Sequence, residues 1–432
     1  MNYIITGGTG FIGTHLTNLI KERYPNAQVY NLDIVKPGTP NPVVKDYKPA
    51  LRDGQKLQST FIEYDIRKPI ENLPFTPTED DVIFNFAAVH RNPGHEDHEY
   101  FETNIRGAEN VVAFAEKWNI KKIVFTSSIA PYGAAEELKK EITLPTPNTA
   151  YGISKLVAEK IHEKWQNGDA AHRQLTIVRP GVVFGKGENG NFTRLYWAIR
   201  GHKFAYPGRK DTIKACIYVK ELVRFMLYRL EHHEHGVELY NCCFEPAYTI
   251  QHIVEAMKKV TGLTQFVPDI PNWVIMPMAR AAMLLGSPMG ICPARVKKLQ
   301  ISTNICGEKL KNCGYQFKWS FEEALADWFE DNDRKGGEVK MKCGLYDESY
   351  KIAADTNLLV NYLYNCHLKV AYLPEFVTRM RMGGMSTDSA KRKKVWDEDI
   401  RVYTGYGFKP VTLTKLMKMA WKVPQFIKAK FM

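Results

Sequence analysis

The 432-residue chain has no CxxC pair among its eight cysteines, no run of about 18 apolar residues, no internal repeat and no low-complexity stretch. Each absence removes a class of protein. Cys216, Cys242, Cys243, Cys292, Cys306, Cys313, Cys343 and Cys366 are scattered without zinc-site spacing, so free buried thiols are expected and no metal is. The groups His90/His95/His98 and His232/His233/His235 lack acidic or cysteine partners at ligand spacing and read as polar loop and helix-end residues. Without a long apolar run, no bilayer-spanning helix is expected. Met1 to Ile5 lead straight into a glycine-rich turn, which leaves no room for a signal peptide and predicts a cytoplasmic protein. Acidic residues are outnumbered, 47 against 59 Lys and Arg, for a formal charge of +12. From Gly336 onward there are 17 basic and 9 acidic residues, so the last 97 positions hold +8 of that excess. Such a tail calls for an anionic partner. Membrane lipid or a phosphate-bearing substrate is expected there, and nucleic acid is not.

What is present, 44% hydrophobic and 25% charged residues, is the make-up of a globular chain with two or three cores. The first 180 residues alternate β-branched apolar runs with helical patterns, as a doubly wound parallel sheet requires. Predicted strands cover 2–6, 28–33, 60–64, 82–87, 122–127 and 176–179, and predicted helices cover 13–24, 104–118 and 150–167. After Pro180 the alternation weakens into a smaller substrate-binding lobe, 181–335. Lys335-Gly336-Gly337 reads as a linker to a third segment, 336–432.

Thr6-Gly7-Gly8-Thr9-Gly10-Phe11-Ile12-Gly13 follows the first strand and opens the first helix. A tight turn, backbone access for a pyrophosphate and close helix-to-strand packing all need glycine there, and the helix N-terminus faces the phosphates. Asp33 ends the second strand, where a carboxylate accepts hydrogen bonds from an adenosine ribose and repels a 2′-phosphate, so NAD is expected over NADP. The alternative reading of Asp33 is a strand-ending turn cap. In Tyr151-Gly152-Ile153-Ser154-Lys155 the spacing puts a phenol and an ammonium one helical turn apart, and the cation favours phenolate. Thr126-Ser127-Ser128-Ile129-Ala130-Pro131-Tyr132-Gly133 lies upstream at a strand end, where a serine hydroxyl can bond the oxygen that the tyrosine deprotonates.

Together these motifs resemble the extended short-chain dehydrogenase/reductases, the NAD-dependent epimerase/dehydratase family that acts on nucleotide-activated sugars. Further pieces of the resemblance are Asp65-Ile66-Arg67, Asn85-Phe86-Ala87-Ala88, Asn104 and Arg179–Gly185, all in order over residues 1 to about 330. The resemblance implies a Rossmann-type α/β fold, with Ser128, Tyr151 and Lys155 catalytic. It implies NAD held by Gly7, Gly10, Phe11, Ile12, Gly13, Asp33, Asp65, Ile66, Ala87, Ala88 and Asn104 as well as Tyr151 and Lys155. Pro131 and Phe184 stand where the family usually has valine and tyrosine, and neither touches a reacting group. Family members that dehydrate across C5 and C6 carry an acidic pair after the catalytic hydroxyl residue. Ile129 and Ala130 occupy those places, so epimerisation at C4 through a 4-keto sugar is the expected reaction.

The segment from Gln174 to Tyr315 is similar to bacterial 4-epimerases that act on N-acetylglucosamine linked through diphosphate to undecaprenol. By that resemblance Ser128, Asn191, Lys214 and Arg295 contact the substrate, the last two as cations for the diphosphate. The carrier, nucleotide or undecaprenyl lipid, stays open, as does any other NAD-dependent nucleotide-sugar oxidoreduction; the product would serve surface polysaccharide synthesis. Trp273 to Gly286, WVIMPMARAAMLLG, is either a core helix or an apolar surface that meets lipid.

Beyond residue 335, Gly344–Ser349, Ala353-Ala354-Asp355, Tyr372–Glu375 and Arg379–Ser386 resemble the acceptor-side end of a family 2 glycosyltransferase. The donor half with its Asp-x-Asp strand has no counterpart, so the tail reads as an interaction module or as one part of a bifunctional assembly. In Val411–Val423 an apolar stripe faces away from Lys415, Lys418 and Lys422, the pattern of a helix lying on an anionic bilayer at the inner face of the cell membrane. Oligomeric state is open, a homodimer being one option.

Overall fold

The computed structural model describes residues 1–37, 39, 57–90, 95–284 and 293–332, with the single positions 397, 400 and 404. Seven parallel strands form the central sheet, in the spatial order Gly236–Cys242, Gln174–Pro180, Lys122–Thr126, Val82–Asn85, Asn2–Thr6, Gln28–Asp33, Thr60–Glu63. Both faces of this sheet are covered, so its inner strands are buried at successive positions rather than at alternate ones. Tyr3 and Ile5 enter one core with Leu16, Ile20, Leu222 and Phe225, from helices Phe11–Arg23 and Val219–His232. Ile4, between them in sequence, enters the opposite core with Val111, Phe114, Ala158 and Trp165, from helices Arg106–Lys117 and Ala150–Asn167. The order reverses between Asn2–Thr6 and Val82–Asn85. At such a reversal, outside the carboxyl ends of the strands, lies the crevice in which doubly wound sheets bind ligands.

Six of these strands are the predicted ones. The seventh, Gly236–Cys242, comes from the stretch assigned to the lobe, because helix Val219–His232 carries the chain back across the sheet and returns it parallel to Gln174–Pro180. The sheet therefore does not end at residue 180. The chain divides into two compact units, Met1–Glu338 and Val339–Met432, so sheet and lobe belong to one unit. The glycosyltransferase-like motifs, Asp355 and Val411–Val423 lie outside the described residues. The predicted helix from Asn104 begins irregularly, as a π-helical turn at Phe101–Ile105 that continues into Arg106–Lys117.

The lobe is built on short parallel pairs, Val182–Phe184 with Cys216–Tyr218 and Ala135–Lys139 with Thr303–Ile305. Its core is aromatic: Phe184, Phe192, Tyr218, Phe244, Phe321 and Trp328 are all buried together, each contributing about 1.5–3 kcal/mol of apolar burial. Helix Phe321–Asp331 that closes this core starts at a capping box of Ser320 and Glu323. Of the two readings for the apolar run after Trp273, the core helix is not what forms: helix Asn272–Leu284 buries Ala279 but leaves Trp273 80% exposed and Met278 56%. Cys216, Cys242, Cys243, Cys306 and Cys313 are free thiols, as expected. Among the described residues no helix is long and apolar enough to cross a membrane. No group of three or more His, Cys, Asp or Glu among them could hold a metal ion.

Candidate active site

Gly7 takes a positive φ of 67° and donates to the Leu32 carbonyl at 2.8 Å, which turns the chain out of the first strand. A Cβ at Gly7 would come within 2.8 Å of the Ala87 nitrogen, so glycine lets this turn lie directly on the loop after the fourth strand. Gly10 caps helix Phe11–Arg23 with no side chain spent on its first N–H groups and no acidic residue in its first turn; Gly13 is buried within that turn. Those N–H groups, at Phe11 and Ile12 beside the crevice, suit a pyrophosphate. Asp33 braces the same turn, accepting from Thr9 N and Val35 N, both at 3.1 Å. Burial pushes its carboxyl above the ordinary range and these donors pull it back. A carboxylate at this strand end has the acceptor chemistry that a ribose hydroxyl needs. The sequence-predicted residues thus fit a dinucleotide.

Asp65 is held by Arg67 in a forked ion pair, 2.6 Å at its shortest, which lowers its pKa. Ile66 packs its side chain into the sheet core and lends its carbonyl to Asn110 at 2.8 Å, leaving its N–H for a ligand. Ala87 and Ala88 are half-buried at the crevice. Asn104 is anchored within the protein. Its amide oxygen accepts from Val89 N at 2.8 Å, and its amide nitrogen donates to Val89 O at 3.0 Å and Ser154 Oγ at 2.9 Å. The amide thus ties the post-strand loop to helix Ala150–Asn167, and its oxygen has a second lone pair beyond the Val89 bond. The π-helical turn at Phe101–Ile105 directs it there.

Thr149 caps that helix through Gly152 N at 3.1 Å and fixes Tyr151 in its first turn. A Cβ on Gly152 would meet Ala130 O at 2.7 Å, so the turn seats against the chain that carries Ser128. Ser128 Oγ accepts from Ala130 N at 3.1 Å, which leaves its proton to donate. Burial raises the pKa of the Tyr151 phenol, Ser128 lowers it by hydrogen bonding, and Tyr100, 6.0 Å away between ring centroids, raises it. Lys155 is 3% exposed, with its ammonium 4.6 Å from the Phe125 ring centroid. Burial pushes it down to about 7, against the pull of Glu159 one turn on.

Glu159 and Arg179 were not among the predicted site residues. They form a forked pair at 2.8 and 2.5 Å, with side chains 1% and 3% exposed. Ser127 donates to the same carboxylate, and the guanidinium lies 4.6 Å from the Tyr132 ring centroid. Burial disfavours the Arg179 charge, and Glu159 more than restores it. Charges inside the apolar strand QLTIVRP and four residues after Lys155 were the available signal. Farther along, His162 donates from Nδ1 to Ala158 O at 2.7 Å, so Nε2 accepts from Asn85 at 3.2 Å, and burial lowers its pKa to about 4.

The expected substrate residues lie in the lobe. Asn191 opens helix Asn191–Arg200 and is exposed. Lys214 donates to Ile301 O at 2.6 Å, which ties it to the residue after helix Pro293–Gln300; Arg295 belongs to that helix, and its side chain is outside the description.

The model of the NAD dependent epimerase/dehydratase family matches residues 3–243. The N-acetyl-α-D-glucosaminyl-diphospho-ditrans,octacis-undecaprenol 4-epimerase of Escherichia coli O157:H7 is 27% identical over 336 residues, 75% of this chain and 93% of that protein. The UDP-glucose 4-epimerase of Thermotoga maritima, solved with UDP-glucose, superposes with a TM-score of 0.58 at 20% identity, covering 77% of this chain and 99% of its own. UDP-glucuronic acid 4-epimerase from Bacillus cereus, solved with NAD, gives 0.57 at 19% identity, with 77% and 99% covered. These likenesses establish the fold, and the match over residues 3–243 establishes the descent: the chain belongs to the NAD dependent epimerase/dehydratase family.

Proposed function

We propose that the protein is an NAD-dependent 4-epimerase of an N-acetylhexosamine joined through a diphosphate to a carrier, with undecaprenol favoured over a nucleotide. The carrying observation is the seating of Tyr151 against the Ser128 turn, at the crevice that the glycine turn and Asp33 line. When bound, NAD accepts hydride from C4 of the sugar and returns it to the other face. Tyr151 takes the C4 hydroxyl proton, and the Ser128 hydroxyl, hydrogen-bonded to the phenol here, donates to the same sugar oxygen as it becomes a carbonyl. Lys155, one helical turn on, is pushed down to about 7 by burial, and its charged form would favour phenolate. Ile129 and Ala130 supply no acid or base for water loss, so the keto sugar waits only for hydride.

Support for the lipid carrier comes from the 27% identical relative, whose name specifies an undecaprenyl diphosphate and 93% of whose length is matched. Lys214 and Arg295 are the cations offered to the diphosphate. Incubation of the purified protein with N-acetylglucosaminyl-diphospho-undecaprenol in detergent and, separately, with UDP-N-acetylglucosamine tests the reading. Conversion of the lipid-linked sugar to its C4 epimer is expected. A dehydrated or net-oxidised product, or turnover of neither compound, would overturn it.

A further inference from the structure

We infer that helix Asn272–Leu284, with Phe266 before it and the end of helix Pro293–Gln300 after it, is a docking surface for an anionic lipid monolayer. Its 13 residues are about 20 Å long, too short to span a bilayer. An amphipathic helix hides its apolar side, but this one is apolar nearly all round and leaves most of that surface in water. Trp273 is 80% exposed, Met278 and Met283 are each 56%, and Phe266 is 81%. Scattered exposed apolar side chains are ordinary, and a concentration of large ones marks an interaction surface.

Charge selects the occupant. From Pro271 to Gln300 the sequence has Arg280, Arg295, Lys297 and Lys298 and no Asp or Glu. Arg280 and Lys297 are exposed. The carboxylate nearest in sequence, Asp269 between Phe266 and the helix, lies 3.9 Å from Lys210. A tryptophan at the head of a short apolar helix that carries a cation and no carboxylate matches the headgroup boundary of an anionic membrane. Fixed hydrogen bonds hold the surface to the lobe: Gln300 Nε2 donates to Pro207 O and to Asn272 Oδ1, both at 2.9 Å. The Lys214 bond to Ile301 O joins its far end to the proposed diphosphate contact. The inference rests on the lipid-linked reading for its purpose, since a substrate anchored in a membrane has to be met there.

The test is flotation of the full-length protein with mixed phosphatidylcholine–phosphatidylglycerol vesicles, without sugar, at low and high salt. Three comparisons accompany it: Trp273→Ser/Met278→Ser in the lobe, Lys415→Gln/Lys418→Gln/Lys422→Gln in the tail, and quenching by brominated lipid of wild type against Trp273→Phe. The lobe double variant should lose about tenfold or more in vesicle partitioning while keeping its circular dichroism and NAD binding, and Trp273→Phe should remove a quenchable component. Unchanged partitioning of the lobe variant, loss confined to the tail variant, or no vesicle binding by wild type would each overturn the inference. So would a change of oligomeric state without vesicle binding, which would make the surface a protein interface. Because the vesicles carry no sugar, this failure is separable from failure of the turnover assay in detergent.

Discussion

Replacing Glu159 by Gln removes one charge from a pair whose partner has no route to water. The Arg179 side chain is 3% exposed, its Nε and one terminal nitrogen are spent on Glu159, and its other terminal nitrogen is already buried without a partner. Breaking a buried pair from one side costs about 3–5 kcal/mol, mostly as the uncompensated charge that remains. The amide also turns a donor towards either Ser127 or the guanidinium, both of which now donate to the carboxylate. Removing both charges, as Glu159→Leu/Arg179→Met, takes away the desolvation penalty as well and should cost less than either single change. Equilibrium urea unfolding of NAD-free protein at neutral pH, for both single variants and the double, measures the coupling. Additive losses, or a loss below about 1 kcal/mol for Glu159→Gln, would refute the claim that the pair is electrostatically closed. The chemistry should respond too. Glu159 is what pulls the Lys155 pKa upward, so its neutralisation moves that ionisation further down and shifts the activity profile to lower pH.

Tyr151→Phe should abolish turnover and leave NAD bound, because it removes the base and none of the phosphate-facing backbone; near-normal activity would sink the assignment. Lys155→Met should stabilise the NAD-free protein. With the ammonium at about 7 in the fold and about 10.5 unfolded, the unfolded chain holds more protons between those values, so the lysine's penalty is full below pH 7 and fades as pH rises towards 10.5. Thermal or urea unfolding should show the advantage of Met near 4 kcal/mol in order of magnitude at pH 7, shrinking by about 2 kcal/mol at pH 9; a pH-independent difference would contradict the buried-ammonium picture. Asp33 should make wild type bind NAD over NADP in a direct titration, and equal or tighter NADP binding would show that its carboxylate serves only the Thr9 turn.

The sheet was legible because its two signals are local. A strand buried on both faces is an uninterrupted apolar run, and the turn after the first one is written in glycines whose positions backbone geometry demands. The placement of Tyr151 and Lys155 on one helix, and of Ser128 past a strand end, was legible through spacing. What escaped is non-local. The strand Gly236–Cys242 carries Glu238 and Asn241 and looks like a lobe segment until its neighbour Gln174–Pro180 is known. The ties of Asn104 to Val89 and Ser154 are legible only once the post-strand loop and helix Ala150–Asn167 are packed around it. Glu159 and Arg179, 20 residues apart, are recognisable as a pair only once helix and strand are packed together. The exposed state of Trp273 likewise depends on what the rest of the unit fails to cover.

These non-local ties bear on how the unit can move. If the lobe closed over a substrate as a rigid body, the pivot would fall where the chain leaves Pro180, and the backbone there is already cross-linked. Gly181 N donates to Cys242 O at 3.0 Å, Val182 N to Ala215 O at 2.8 Å, and Ala215 N to Thr303 O at 3.2 Å. A Cβ on Gly181 would come within 2.6 Å of Ala215 O, so there is no slack for the strands to slide. The same junction is fastened from the side, with Tyr132 OH donating to Asn241 Oδ1 at 2.8 Å beneath the Arg179 guanidinium and Asn241 Nδ2 to Cys306 O at 3.3 Å. Swinging the lobe would break this ladder at Ala215, Cys242 and Cys306. Hinge motion requires a few lightly bonded residues between bodies, and residues 180–182 are the opposite of that. The sheet and the inner lobe therefore act as one frame that holds Ser128 and Tyr151 in register, and helix Asn191–Arg200 belongs to that frame through buried Phe192, Tyr196 and Ile199.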